Sequence, residues 1–382
     1  MAKIVLFSFF SGVGMLDLAF ENNNYEVVFV NEYERNFLES YSYIRRNSNV
    51  RDPFYGYINR SASDFLQKDE TKNLFQMVLN EKKKGNMVGF VGGPPCPDFS
   101  VGGKNRGVDG ENGVLTNTYF SLIKECKPDF FLFENVKGLI KTEKHKVFYL
   151  KMRELMTKSG YAISDRLLNS LSYGVPQHRE RILMVGILEN ELKSIHKFGI
   201  TKEGIFNFPW EKYQKYEPAD ILSMDWPSQD SFIENSKREF NYKVPIQLTV
   251  NYWFDKNKIS EHPNGLDQFK VRTGITKMSA IAEGDVRRKS FKRLHRWRYS
   301  PTAAYGNNEV HLHPYLKRRL SVAEAMAIQS LPKDFYLPDS ISLTKKFKMI
   351  GNGVPYLMAE SIAKTLYEIV SEIEKVKEDK YG

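Results

Sequence analysis

The sequence predicts an α/β fold, an open sheet with helices on its faces, joined to a second, smaller unit of different character. Three observations predict it. Apolar runs of strand length at 4–10, 26–31, 87–91, 129–133 and 182–186 alternate with stretches of helical spacing. The first run turns through Ser11-Gly12-Val13-Gly14 directly into a helix at Met15–Glu21. From about 189 to 315 the alternation is lost, and all four tryptophans (Trp210, Trp226, Trp253 and Trp297) fall in that segment.

The chain has 382 residues, enough for one large domain and a smaller one. Its 41% hydrophobic and 27% charged residues are those of an ordinary soluble globular protein. No run of about 18 apolar residues is present, so no membrane-spanning helix is expected. The start enters a strand pattern at Ile4 without a signal-peptide cleavage site. Two cysteines allow neither a disulfide framework nor a CxxC metal pattern, and a reducing compartment suits a working thiol. The 56 basic against 46 acidic residues leave a formal net charge of +10 and a pI near 9.2, which favours a polyanionic partner. There is no internal repeat and no low-complexity linker.

In chain order, Gly12 and Gly14 let backbone amides approach a ligand at a helix N-terminus, where the dipole favours negative charge. Gly-x-Gly after a strand is common and weak on its own. Glu32, just past the second strand, stands where α/β folds grip ribose hydroxyls, although an acid there also suits a helix start. Asp64 reads equally as a cap for the helix that follows.

The run Met87–Val91 is a buried strand ending in Gly92-Gly93-Pro94-Pro95-Cys96-Pro97-Asp98-Phe99-Ser100. Its three prolines fix three φ angles and remove three donors, so one thiol is held on a rigid turn. Such a turn suits a nucleophile that must meet its target atom at a set distance, whereas a lone cysteine is more commonly a core residue. Residues 101–114 are glycine-rich and polar, a loop able to close over substrate with Lys104 and Arg106 reaching phosphates, or else a disordered surface loop. A helix over about 117–127 places Cys126 on its apolar face, as core.

The strand Asp129–Phe133 ends at Glu134-Asn135-Val136, and an acid at the carboxyl end of a central strand is where such folds place chemistry. A helix follows at about 145–158. Gln177-His178-Arg179-Glu180-Arg181 then leads into the strand Ile182–Gly186, and an arginine fork there suits a base carbonyl or a phosphate. The basic, aromatic run 287–299 suits phosphates and bases, or is a solvated face. His311-x-His313 lacks a third ligand, so no metal is expected. Ser321 and Glu324 form a capping box, and Ile350-Gly351-Asn352-Gly353-Val354-Pro355 is expected to open a long helix to about Lys375.

Phe10-Ser11-Gly12-x-Gly14, Pro94-Pro95-Cys96 with Phe99-Ser100, Glu134-Asn135-Val136, Gln177-x-Arg179-x-Arg181, the 318–335 segment and Gly351-Asn352-Gly353 occur in the order and spacing of one family. Together they resemble the cytosine carbon-5 DNA methyltransferases, of the prokaryotic type II restriction-modification kind. The resemblance covers residues 4–187 and about 318–364. It implies a Rossmann-like, S-adenosylmethionine-dependent methyltransferase sheet with a smaller, mostly irregular or β target-recognition domain. Residues 1–188, completed by 336–382, would be catalytic; residues 189–335 would form the recognition domain and hinge.

By the same resemblance Cys96 is the nucleophile that adds to a flipped cytosine, Glu134 its acid partner at ring nitrogen-3, and Arg181 the donor to the ring carbonyl, with Arg179 supporting the site. For S-adenosyl-L-methionine, Phe10 lies on the adenine while Gly12, Val13 and Gly14 approach the methionine moiety. Glu32 takes both ribose hydroxyls and Tyr33 offers a face to adenine. Asp64 and Phe65 meet the adenine edge, Pro95 and Leu115 flank the cofactor, and Asn352 and Val354 close its methionine end. DNA contacts are expected from Ser100, Lys104, Arg106, Gln177, Arg293 and Arg296. Three positions depart from the family pattern: Ser8 for Asp, Met15 for Gly and Pro97 for Gln. The implied partners are double-stranded DNA and a cognate restriction endonuclease, in a monomeric, cytoplasmic, nucleoid-associated protein without membrane contact.

Three other readings compete. A tRNA cytosine methyltransferase would keep Cys96, Glu134 and Arg181, but the large basic and aromatic segment favours DNA. A DNA-binding relative without catalysis would be expected to have lost one of Cys96, Glu134, Gln177 or Arg181. A nicotinamide dehydrogenase rests on Gly12-x-Gly14 alone.

Overall fold

The computed structural model describes residues 3–95, 111–270, 278–288, 290–303, 305 and 311–381. Among the described residues, eight strands lie in the first half of the chain: β1 Ile4–Phe9, β2 Tyr25–Asn31, β3 Tyr57–Ile58, β4 Met87–Gly92, β5 Phe130–Val136, β6 Tyr161–Asn169, β7 Gln177–His178 and β8 Glu180–Leu188. Seven of them form one sheet in the order β3-β2-β1-β4-β5-β8-β6. The neighbours from β3 to β5 are parallel, and β8 runs antiparallel to both β5 and β6.

The central strands are continuous apolar runs because both faces of the sheet are covered. Val5, Phe7 and Phe9 pack with Val88, Phe90, Phe131 and Phe133 on one face. Ile4, Leu6, Val91, Phe130 and Leu132 pack on the other, against the long C-terminal helix through Ile362, Leu366 and Val370. That helix, Tyr356–Tyr381, returns the chain end to the first domain's core.

Strand β6 has no counterpart in the sequence reading. Its middle, Ser164-Asp165-Arg166, is polar because it is an outer strand whose Asp165 is spent on Tyr149 and Arg153. The helix expected at about 117–127 begins earlier, at Glu111, so the glycine-rich stretch ends inside a helix.

The largest difference lies near the C-terminus. Gly351-Asn352-Gly353 does not open a helix; it separates the helix Leu343–Asn352 from the helix Tyr356–Tyr381. Gly353 takes extended backbone, and Pro355 removes a donor where the next helix starts. The capping box forms as expected: Glu324 N–H donates to Ser321 Oγ at 3.2 Å, and Ser321 N–H donates to Glu324 Oε2 at 2.7 Å.

Between 195 and 320 the described residues form short helices and two-residue strands around small separate cores. Trp253, Phe254 and Leu294 make one, and Leu171, Ile221 and Trp226 another. No helix among the described residues is long and apolar enough to cross a membrane.

Candidate active site

The parallel strands deliver their carboxyl ends to one edge of the sheet, and the site residues follow from them in turn. Because β8 is antiparallel to β5, its beginning reaches the same edge, with Arg181 opposite Val136. Glu134 ends the apolar part of β5 and is 7% exposed. Arg181 Nε lies 2.8 Å from Glu134 Oε1.

Burial pushes the Glu134 carboxyl above its ordinary range, and the opposing pull of Arg181 and then Arg179 does not bring it back. A carboxyl raised in this way keeps a proton to give, while the guanidinium fixes its orientation.

The turn after β4 lies directly over this pair. A Cβ on Gly93 would sit 2.7 Å from Glu134 Oε2, so any side chain there would push the carboxyl group out of place. Asn135 Nδ2 donates to the Pro94 carbonyl at 3.4 Å. Glu134 and Asn135 are therefore the floor under Gly93 and Pro94, and Pro95 is exposed. Cys96, Ser100, Lys104 and Arg106 lie outside the described residues.

On the other side of the same edge, Phe10 follows β1 with φ of +53° and meets Tyr119 edge-on at 6.2 Å. Gly14 is the left-handed cap of the helix Met15–Glu21, and Val13 is buried. Glu32 is 8% exposed and accepts from the Gly12 and Glu34 amides, both at 2.8 Å. Burial raises its carboxyl, against the amides that lower it. Tyr33, beside it, is 71% exposed.

Asn59 holds this corner by donating from Nδ2 to the Glu32 and Tyr33 carbonyls at 2.9 and 2.8 Å. Asn31 Nδ2 ties the same corner to Ile58 and Arg60. Ser8 carries no acid, but its hydroxyl donates to buried Asp17 at 2.9 Å, so the next helix supplies a carboxylate.

S-adenosylmethionine fits these groups. Ser11 Oγ is buried beside the glycine turn without a hydrogen-bond partner among the described residues, Glu32 offers carboxylate oxygens to hydroxyls, and Tyr33 presents an exposed aromatic face. Asp64 is half-buried and Leu115 half-buried, and neither caps a helix. Asn352 is exposed at the last position of its helix, and Val354 is buried. Phe65 differs from expectation: its ring is 3% exposed, packed on Phe9 and Phe29 under Arg60, so the side chain belongs to the core.

The expected DNA contacts in the second half of the chain need a larger correction. Arg293 is fully buried and donates to the carbonyls of Met278, Ile281, His313 and Leu316. Arg296 is 3% exposed and forked onto Glu283, with Ser236 beyond. Gln177 is also fully buried, taking the Ala303 amide and donating to the Ile328 carbonyl. Buried, satisfied donors cannot reach a phosphate, so these three residues hold the second unit together and against the first. Within the same basic run, Arg287 and Arg288 do face solvent.

Arg179 is 1% exposed and donates to the carbonyls of Ala303, Gly351 and Gly353, so it supports the site rather than touching a base. His311 and His313 are buried singly, and no metal-holding cluster occurs among the described residues. Sequence reading missed Asn59 and Asp17, which lie in no pattern of distinctive spacing, and gave no role to Asn135 although it stands inside the Glu134-Asn135-Val136 motif.

Comparison with known proteins matches residues 4–368 to the family described as C-5 cytosine-specific DNA methylase. The chain is 47% identical over 378 residues to the type II methyltransferase M.NmeDI of Neisseria meningitidis serogroup C, covering 99% of this chain and 87% of that one. It is 27% identical over 398 residues to the type II methyltransferase M.FnuDI of Fusobacterium nucleatum, covering 98% and 97%. Among solved structures, a prophage-encoded DNA modification methyltransferase of E. coli superposes with a TM-score of 0.65 at 22% identity, over 97% of this chain and 100% of that one. The Dnmt2 methyltransferase of S. pombe gives 0.56 at 12%, over 98% and 99%, and both likenesses are of fold. The chain belongs to the C-5 cytosine-specific DNA methylases, S-adenosylmethionine-dependent DNA (cytosine-5-)-methyltransferases.

Proposed function

We propose that Cys96, Glu134 and Arg181 carry out the reaction, on a cytosine flipped out of duplex DNA at one short sequence. The observation that carries this reading is the buried Glu134–Arg181 pair beneath the Gly93–Pro95 turn, one residue from the thiol. Carbon-5 of cytosine is a poor nucleophile until something adds at carbon-6. The Cys96 thiolate makes that bond, and Glu134 gives its proton to ring nitrogen-3, which turns carbon-5 into an enamine-like centre. Arg181 donates to the ring carbonyl oxygen and holds Glu134 in line. When bound, S-adenosylmethionine supplies the methyl group that carbon-5 receives. A base takes the carbon-5 proton and the nitrogen-3 proton returns to Glu134 as Cys96 leaves as thiolate, which restores the ring. The face of the ring is accessible only outside the base stack.

Phe10, Ser11, Gly12, Glu32 and Tyr33 hold the cofactor in this reading, with Asn352 at its methionine end. Residues 1–188 with 336–382 form the catalytic unit, and 189–335 the recognition unit and hinge. The similarity to type II methyltransferases supports a role in protecting DNA from a cognate restriction endonuclease, in a monomeric, nucleoid-associated cytoplasmic enzyme. A gene neighbourhood without a nuclease counts against the restriction partner.

The test is expression in a host that lacks cytosine methylation, followed by base-resolution mapping of methylcytosine, with Cys96→Ala alongside. Marks at one short sequence that vanish in the variant are expected. Marks that persist with Cys96→Ala overturn the assignment of the nucleophile.

A further inference from the structure

Residues 177, 179 and 181 alternate along one extended segment, so their side chains share a face. Each is long, polar and buried; the first two meet at Ala303, and the third turns to the acid of β5. Gln177 takes the Ala303 amide at 3.3 Å. Arg179 donates to the Ala303 carbonyl at 3.0 Å and to the Gly351 and Gly353 carbonyls at 2.7 and 3.1 Å. Arg181 meets Glu134.

Ala303 ends the stretch by which segment 189–303 returns to pair with β7. That return is clamped to the same strand by Ser300 N–H on the Pro176 carbonyl at 2.8 Å and Thr302 Oγ1 on the His178 carbonyl at 2.6 Å. Gly351 and Gly353 flank Asn352, at the C-terminus of the helix Leu343–Asn352, where unpaired carbonyls and the helix dipole both attract a cation. Gln329 Nε2 secures the neighbouring Ile350 carbonyl at 2.9 Å.

A buried guanidinium spent on three carbonyls of two distant segments is a costly way to fill space. An apolar residue would pack there with less desolvation. What it provides is a fixed distance between the return of the recognition segment and the turn that carries Asn352.

We propose that Arg179 is a positioning residue that ties the recognition segment to the cofactor's methionine end, so that duplex DNA and cofactor bind as linked events through it. The proposal rests on the reading of Asn352 as a cofactor contact. DNA that draws the 300–303 return against β7 also sets the Gly351–Gly353 turn, and cofactor seated on that turn orders the return in exchange. Linkage of this kind is reciprocal. A lysine keeps the charge but has no planar fork to span both segments.

The experiment is calorimetric titration of the full chain with S-adenosylhomocysteine, alone and with a plasmid that carries the mapped site and comes from a host without cytosine methylation. Wild type should bind the nucleoside more tightly with the plasmid present. Arg179→Lys should bind it about tenfold more weakly and lose most of the enhancement, a factor within the usual range for coupled sites. Gln177→Ala removes the second Ala303 contact and the bond to the Ile328 carbonyl but leaves Arg179 on Gly351 and Gly353; it should keep the affinity without DNA and lose part of the enhancement, and it serves if the lysine variant fails to fold. Wild-type enhancement in both variants overturns the proposal. Unchanged nucleoside affinity in Asn352→Ala overturns the underlying reading separately.

Discussion

Met15 fills the space that a side chain at Gly353 would need: an ideal Cβ there would lie 2.1 Å from Met15 Sδ. Met15 starts the helix behind the Gly12–Gly14 turn and is 2% exposed, so the thioether has little room to yield. The family's usual glycine at position 15 is thus replaced by a methionine whose sulfur packs on another glycine. Gly353→Ala should cost about 1–3 kcal/mol by overpacking, and Met15→Ala should relieve part of that cost in the double variant. Urea unfolding of the four proteins measures the coupling.

Glu134→Gln keeps the shape of the acid but cannot give up a proton. Its kcat should fall by about 10²–10⁴, with cofactor affinity unchanged. The pH dependence has a definite sign. Burial raises the Glu134 carboxyl, so its protonated form persists into higher pH and activity declines as pH climbs through the raised value. Arg181 pulls that value down, so Arg181→Met should move the declining limb upward while lowering the plateau. Single-turnover rates across pH read both effects.

The two thiols should separate cleanly under alkylation. Cys126 is 1% exposed, and burial, with Glu125 nearby, pushes its thiol up to about 12. It should stay unmodified by iodoacetamide in native buffer, so one equivalent of label should enter wild type and none Cys96→Ala. Peptide mass spectrometry before and after denaturation checks both sites.

Glu324 ties the capping box to Arg318 through bonds of 2.8 and 2.7 Å, with His313 at 3.4 Å. Burial pushes its carboxyl up, yet His313 and Arg318 outweigh it and hold it at about 2. A carboxyl depressed on folding stabilises above its unfolded value of about 4.3 and loses that contribution as pH falls toward 2. Glu324→Gln should therefore destabilise by about 3–5 kcal/mol at neutral pH and show a shallower loss of stability below pH 4. Thermal unfolding against pH gives the comparison.

Arg293 and the exposed Arg287 should part company in the same way. Arg293→Ala strips charged donors from four carbonyls and should cost about 3 kcal/mol or more. Arg287→Gln should leave stability within about 0.5 kcal/mol. If Arg287 meets a phosphate, its loss should reduce the slope of log affinity against log salt by about one unit, which fluorescence anisotropy at several ionic strengths resolves.

Much of the catalytic sheet was legible because its central strands are apolar on both faces, and β1, β2, β4 and β5 each announce themselves as unbroken runs. The acids at their ends were legible for the same reason: Glu32 and Glu134 stand just where such runs stop. Polar β6 was not, because outer strands need no apolar run. Arg293 and Arg296 were misread since a basic run looks alike whether its guanidinium groups face water or carbonyls, and only packing decides. The turn at Gly351–Gly353 reads equally as the start or the end of a helix. Asn59 acts on backbone carbonyls brought near by the fold, a role that leaves no pattern along the chain, and Asn135, though inside a motif, shows its carbonyl partner only once the fold brings Pro94 near.

The reversed direction of β8 has an engineering consequence. Its first residues stand at the catalytic edge, while Leu188 pairs with Tyr161 at the opposite edge, where segment 189–299 departs before rejoining at Ser300 beside Gln177. The stretch proposed to read DNA thus has one anchorage remote from the Glu134–Arg181 pair and one near it. Exchange of that stretch between relatives is a cut-and-graft operation with unequal seams: the junction after Leu188 tolerates a loose join, whereas the one at 300–303 must reproduce the original hydrogen bonds for a chimera to stay active.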